Sequence, residues 1–213
     1  VSIPVFADGD TGYGNALNVR RTVQGFARAG CAAVMIEDQL SPKRCGHTKG
    51  KKVVEREEAV DRIRAAHDAR SEGEDIVIVA RTDARQEHGI GEAIDRAQAI
   101  SEEWAAELFV EAPKSEDEMR TLCRELPGPK MANLVEGGET PVLRPAELAD
   151  IGYRLAVYPL TVMSSAMGAM VGALRGLKEG PHPDAILPFA ELRRRVGFDD
   201  YYEMEQRYSG VRD

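Results

Sequence analysis

No apolar run in the 213 residues approaches the roughly 18 needed for a membrane-spanning helix, so no helical membrane segment is expected. Cysteine is scarce: three residues, at 31, 45 and 123. An odd, widely spaced set argues against a disulfide framework or a zinc ribbon and for a reducing, cytoplasmic setting. Positive charge is in deficit, with 28 Lys and Arg against 36 Asp and Glu and a net charge of −8. That disfavours nucleic acid and anionic membrane surfaces as partners. It leaves room for a small anionic ligand, provided that a divalent cation and local Arg or Lys reverse the field at its site. There is no GxxxxGK[ST] stretch, which argues against a nucleotide-binding P-loop. Nor is there a short-period repeat or a low-complexity segment. The opening residues lack a secretory-leader pattern. They begin with Val and enter a strand-like run at once, so an upstream piece is expected.

Short apolar runs alternate with amphipathic stretches. Strands are expected over 3–7, 32–37, 76–80, 107–111, 131–135 and 154–158. Most are continuously apolar, as parallel strands covered on both faces are. Between them, Val19, Val23, Phe26 and Ala27 share one face of a helix over 15–29, with Gly30 placed to cap it. Val60, Ile63 and His67 continue one face over 55–70. Ser115 and Glu118 form a capping box before Met119, Leu122, Cys123 and Leu126. Thr161–Lys178 reads as a long apolar helix. Repeated βα units imply a parallel α/β sheet with right-handed crossovers. Polar residues close strand after strand: Asp8, Asp10, Glu37, Arg81, Asp83, Glu111, Asn133 and Glu136. That pattern favours a (β/α)8 TIM-type barrel over an open sheet, whose ligand contacts concentrate at one switch point. On that reading the chain lacks the first two strands. It is one partial barrel domain, 1–213, with a helical tail from about 181.

Several of these residues suggest chemistry. Asp8 and Asp10 lie two apart at a strand end and point the same way, so a cation or a shared proton must relieve them. Mg²⁺ suits such oxygen ligands, with Glu37 as a third; an acidic Asp-Gly turn is the alternative. Cys45 lies in the polar loop Ser41–Lys52, flanked by Lys43, Arg44 and His47, and neighbouring cations lower a thiol pKa. It is a candidate nucleophile or proton donor. His47 is a ligand, a substrate donor or a plain loop residue. Arg81 offers a fork matched to a carboxylate, or a structural ion pair. Asn133 and Glu111 fit either a substrate contact or an internal network. Gly12-Tyr13-Gly14, before a helix, is a weak phosphate-loop pattern, and Tyr13 is taken as a substrate contact. His182 and Arg193–Arg195 read as solvated tail features.

Ala7-Asp8-Gly9-Asp10-Thr11-Gly12-Tyr13-Gly14-Asn15, Ile36-Glu37-Asp38-Gln39, Pro42-Lys43-Arg44-Cys45-Gly46-His47, Val79-Ala80-Arg81-Thr82-Asp83-Ala84, Phe109-Val110-Glu111-Ala112-Pro113 and Ala132-Asn133-Leu134-Val135-Glu136-Gly137-Gly138 occur in this order. Together they resemble the isocitrate lyase/phosphoenolpyruvate mutase superfamily. The resemblance implies a modified (β/α)8 barrel, a homotetramer with exchanged C-terminal helices, and Mg²⁺, with Mn²⁺ as a substitute, at Asp8, Asp10 and Glu37. It implies that Cys45 protonates the enolate left by C–C cleavage, assisted by Lys43 and His47. Tyr13, Gly46, Arg81, Glu111 and Asn133 would hold a small carboxylate substrate. The expected reaction is cleavage of a 2-hydroxy-dicarboxylate to a 2-oxo acid such as pyruvate. The alternatives are oxaloacetate hydrolysis or decarboxylation and carboxyvinyl-carboxyphosphonate phosphorylmutase-type chemistry. Further alternatives are a thiol hydrolase and a non-catalytic metabolite-binding barrel. Ser164 and Gly137 depart from the methylisocitrate lyase pattern and point to a smaller dicarboxylate. Glu103-Trp104-Ala105 departs from a family Ala-Gly-Ala turn.

Overall fold

The computed structural model describes residues 2–104, 107–180, 183 and 186–210. His182 and Ala105 therefore lie outside the described residues.

Six parallel strands are present among them: β1 (Phe6–Asp8), β2 (Ala33–Glu37), β3 (Val77–Thr82), β4 (Glu107–Val110), β5 (Met131–Asn133) and β6 (Leu155–Val157). Strands β1 to β4 form one sheet in chain order, β5 pairs with β6, and a parallel Leu108–Lys130 bridge joins β4 to the start of β5. The order never reverses, so the sheet has none of the switch points that define a doubly wound fold. Helices α1 (Ala16–Arg28), α2 (Arg56–Ser71), α3 (Ala84–His88), α4 (Ile90–Trp104), α5 (Glu116–Glu125) and α6 (Pro145–Ile151) fill the crossovers. They are followed by α7 (Thr161–Glu179), α8 (Phe189–Arg195) and α9 (Phe198–Tyr208).

The helix ends follow local chemistry. Asn15 caps α1 by accepting the Leu17 and Asn18 N–H groups. At the other end Gly30, at φ +85°, lets its own N–H and that of Cys31 reach the Ala27 and Phe26 carbonyls. Two expectations need correction. Ser115 Oγ does accept the Glu118 N–H, but Glu118 turns its carboxylate to the Lys114 N–H and to Arg85 rather than closing a box. Helix α2 buries Ala59, Arg62, Ile63, Ala66 and Ala69, so the predicted face holds at Ile63, with Val60 packed at the core's edge, but widens to the Ala59–Arg62–Ala66 side. Small alanines let it lie close to the sheet, and Arg62 enters because its Nη1 donates to the Glu37 and Gln39 carbonyls.

Alternation along the strands separates two layers. Val34, Ile36, Ile78, Ala80, Leu108 and Val110 pack under α1, α2, α4 and α5. Met35, Val79, Phe109 and Met131 face the other way and form a second cluster with Val157. The chain divides into two compact units, Val1–Val162 and Met163–Asp213. In the second, α8 and α9 bury no residue; Arg193 lies 5.5–6.0 Å from the Phe189, Phe198 and Tyr202 rings. Arg193 is therefore engaged, whereas Arg194 and Arg195 pair with Glu191.

Candidate active site

The inward row continues past the strand ends. Glu37, Arg81, Glu111 and Asn133 each stand two residues beyond Met35, Val79, Phe109 and Met131, on the same face. Arg81 and Asn133 line a cavity of about 450 Å³, and Glu37 and Glu111 lie buried behind its wall, in contact with Arg81. Its wall includes Asp8, Lys43, Cys45, Gly46, His47, Arg81 and Asn133, with Met35, Phe109, Met131 and Val157 as apolar lining. Cys45 is exposed and unpaired.

On one side the Lys43 ammonium lies 3.4 Å from Asp8 Oδ2, 3.3 Å from Asp10 Oδ2 and 3.3 Å from Glu37 Oε2. Asp10 adopts a left-handed φ of +56°, a strained state for a residue with a Cβ. The surroundings enforce it: its N–H donates to Asp8 Oδ1, and its carbonyl accepts the Glu37 N–H. The Glu37 side chain is fully buried and its Oε1 has no hydrogen-bond partner. Burial pushes its carboxyl up to about 7, against the opposing pull of Arg81. Burial works to lower the Lys43 ammonium pKa, but Glu37, Asp8 and Asp10 outweigh it and the net shift is upward.

An orphaned buried carboxylate oxygen and an all-oxygen donor set that already draws in one cation fit a hard dication such as Mg²⁺. Among the described residues no three His, Cys, Asp or Glu side chains converge closely enough to hold an ion unaided. Asp8, Asp10 and Glu37 would thus suit an ion that keeps several of its waters.

On the other side Arg81 is a buried hub. Its Nε donates to Asp83 Oδ2 at 2.8 Å, its Nη1 lies 3.4 Å from Glu37 Oε2, and its Nη2 lies 3.3 Å from Glu111 Oε2. The guanidinium packs 5.6 Å from the Phe109 ring centre. These carboxylates raise its pKa despite burial. Asp83 is held below the usual carboxylate range: burial would raise it, but Arg81 and Lys51 prevail.

His47 Nδ1 accepts the Glu139 N–H at 3.1 Å, so its proton sits on Nε2, which donates to Glu111 Oε1 at 3.0 Å. The Asn133 amide also donates to Glu111. Gly46 packs against this cluster so closely that a Cβ would stand 2.5 Å from Glu111 Cδ and 2.7 Å from Arg81 Nη2.

Of the residues singled out in the sequence, Asp8, Asp10, Glu37, Lys43, Cys45, Gly46, His47, Arg81, Glu111 and Asn133 come together here. Tyr13 does not reach the cavity wall; it is 61% exposed at φ +61°. Gly137 is also exposed and absent from the wall, and Ser164, in α7, is exposed.

Sequence reasoning passed over the supports. Gln39 is fully buried and grips the loop by two 2.9 Å bonds to the Arg44 backbone. Asp38 accepts from Thr82 Oγ1, the Asp83 N–H and Arg96, and burial raises its carboxyl pKa. Lys51 is buried between Gly46 and Asp83. Polar Asp38 and Gln39 directly after an apolar strand were a usable signal; Lys51, between Gly50 and Lys52, reads as a solvated loop cation.

Comparison with known proteins agrees with this geometry. The family model described as phosphoenolpyruvate phosphomutase matches residues 1–178. A 2,3-dimethylmalate lyase from Eubacterium barkeri is 42% identical over 211 residues, covering 97% of this chain and 73% of the relative. A solved oxaloacetate acetylhydrolase bound to 3,3-difluorooxalacetate superposes with a TM-score of 0.87 at 35% identity, over 99% of this chain and 72% of that one. A phosphonopyruvate hydrolase solved with oxalate and Mg²⁺ gives 0.79 at 31% identity, over 98% and 74%.

Proposed function

Because the chain belongs to the phosphoenolpyruvate mutase/isocitrate lyase superfamily, we propose that it is a Mg²⁺-dependent carbon–carbon lyase. Its substrate is a small 2-hydroxy-dicarboxylate and its product a 2-oxo acid such as pyruvate. One observation supports this reading: a single cavity is lined by Asp8 and Lys43, by Arg81 and Asn133, and by the free Cys45 thiol.

Cleavage beside a carbinol needs a hold on the carboxylates, a base that takes the hydroxyl proton, relief of charge on the alkoxide that becomes the 2-oxo acid carbonyl, and a proton for the enolate left behind. Bound Mg²⁺ supplies Lewis acidity toward the 2-oxo acid oxygens. Arg81, Asn133 and the Gly46–His47 backbone hold the remaining carboxylate. His47 Nδ1 accepts the Glu139 N–H, which leaves Nε2 as the donor of the ring. Cys45 delivers a proton from Sγ to the enolate carbon, a role worth about 10²–10⁴ in rate. Lys43 offsets the negative charge of Asp8 and Asp10 beside the substrate.

Within this proposal the six consecutive parallel strands belong to a (β/α)8-type barrel, a reading supported by their unreversed order and by the structural neighbours. Residues 1–213 then form one partial barrel domain with a helical tail from about 181. The enzyme is cytoplasmic, accepts Mn²⁺ in place of Mg²⁺, and assembles as a homotetramer through exchanged C-terminal helices.

The test is pyruvate release by the full-length protein from 2,3-dimethylmalate, 2-methylisocitrate and citramalate, with and without chelator. Metal-dependent release from one of them is the expected result; silence on all of them overturns the lyase. A second reading, hydrolysis of oxaloacetate, is favoured by the oxaloacetate acetylhydrolase likeness. Turnover confined to oxaloacetate would select it.

A further inference from the structure

Lys51 takes no part in the chemistry described above, yet it is among the most completely buried cations of the fold, with its side chain 1% exposed. Its ammonium donates to the Gly46 carbonyl at 2.5 Å and to Asp83 Oδ1 at 2.7 Å. Asp83 is fully buried and held in turn by two bonds from Arg81. Lys51 therefore ties the thiol-bearing loop to the residue that anchors the site's main guanidinium.

The direction of the tie matters. In a trans peptide the C=O and the following N–H point to opposite sides. Gly46 and His47 line the cavity and Lys51 does not. Holding the Gly46 carbonyl on Lys51 turns the His47 N–H the other way, toward the cavity. Rotation of that peptide would instead present a carbonyl oxygen to an anionic ligand, replacing attraction with repulsion.

We propose that Lys51 is a positioning residue that pins the Gly46–His47 peptide with its N–H toward the substrate carboxylate and holds Cys45 in register. The carboxylate part of this inference rests on the proposed lyase reading; the clamp itself does not. A hydrogen bond to a charged group changes an equilibrium by roughly 10- to 100-fold. Lys51→Met in the full-length enzyme should accordingly raise KM by about tenfold or more, and Lys51→Arg, which keeps a charged donor, should recover much of the loss.

The clamp is read without turnover from the alkylation rate of Cys45 by iodoacetamide, followed by peptide mass spectrometry. Release of the loop should change that rate several-fold in Lys51→Met. If Lys51→Met does not fold, Lys51→Gln, which keeps one donor and removes the charge, is read instead. An unchanged Cys45 rate overturns the clamp whatever KM does. A changed rate with unchanged KM overturns the carboxylate role. A wild type silent on every substrate, with a changed Cys45 rate in the variant, sinks the lyase reading and leaves the clamp standing.

Discussion

Glu37 is a carboxyl buried behind the cavity wall, and the consequence is a pH dependence of known sign. Its carboxyl moves from 4.5 to about 7 because it is buried. The folded state therefore keeps a proton that the unfolded state releases. The stability this gives is complete below about pH 4.5 and lost as pH rises through about 7. At 1.36 kcal/mol per unit, the loss is of the order of 3 kcal/mol. Urea titrations in chelator should show Glu37→Gln gaining about that much on the wild type between pH 4 and pH 8. Saturating Mg²⁺ at pH 8 should restore the wild type and leave the variant largely unmoved. A difference between the two proteins that does not vary with pH would refute the burial argument. Cys45 makes a different prediction. As a pure proton donor, Cys45→Ser should keep KM and lose about 10²–10⁴ in kcat. Trapping of an acyl adduct on Cys45 would instead point to a nucleophile.

At the scale of elements, the site follows from strand parity. Met35, Val79, Phe109 and Met131 face inward because Val34, Ile36, Ile78, Ala80, Leu108 and Val110 are taken up by the helices. The next inward positions fall where the strands end, and there the chain places Glu37, Arg81, Glu111 and Asn133. This much was legible in the sequence, since apolar runs ending in charge mark both the strand and its carboxyl end. What was not legible was long-range support. Arg96 on α4 reaches Asp38 and the Val54 carbonyl, 58 and 42 residues away, and no local pattern announces such a link. Where the Tyr13 side chain lies was not legible for a related reason: a Gly-x-Gly turn fixes the backbone but not where its side chain goes. Arg96→Leu should leave Asp38 buried and short of a partner. A loss of about 3–5 kcal/mol in chemical denaturation is expected. A change below about 0.5 kcal/mol, the range of ordinary surface substitutions, would mean that the network contributes nothing. Gly46→Ala tests the loop. Its Cβ would collide with Glu111 and Arg81, so substrate affinity and turnover should fall together.

Over the whole molecule, the acidic balance and the apolar helices of the second unit pull in opposite directions. A net charge of −8 keeps copies apart in solution. Yet Met163, Met167, Met170, Leu174 and Leu177 are each at least 52% exposed and recur at alternating steps of four and three along α7. That spacing draws one straight stripe along a helix, the pattern of a packed seam rather than of a solvated face. Helices α8 and α9 add Phe189 and Tyr208, and the turn after α8 adds Val196, all more than 60% exposed. Exposed apolar surface on this scale marks an interface, and the proposed exchange of C-terminal helices would cover it. Light scattering on the full-length protein should therefore report an oligomer. Paired Met170→Glu and Leu174→Glu substitutions should bring like charges onto the seam and dissociate it, while the far-ultraviolet spectrum of the first unit's sheet and helices persists. A double variant that keeps the wild-type mass would show that the stripe faces something other than a second copy, and would remove the exchanged-helix assembly from the proposal.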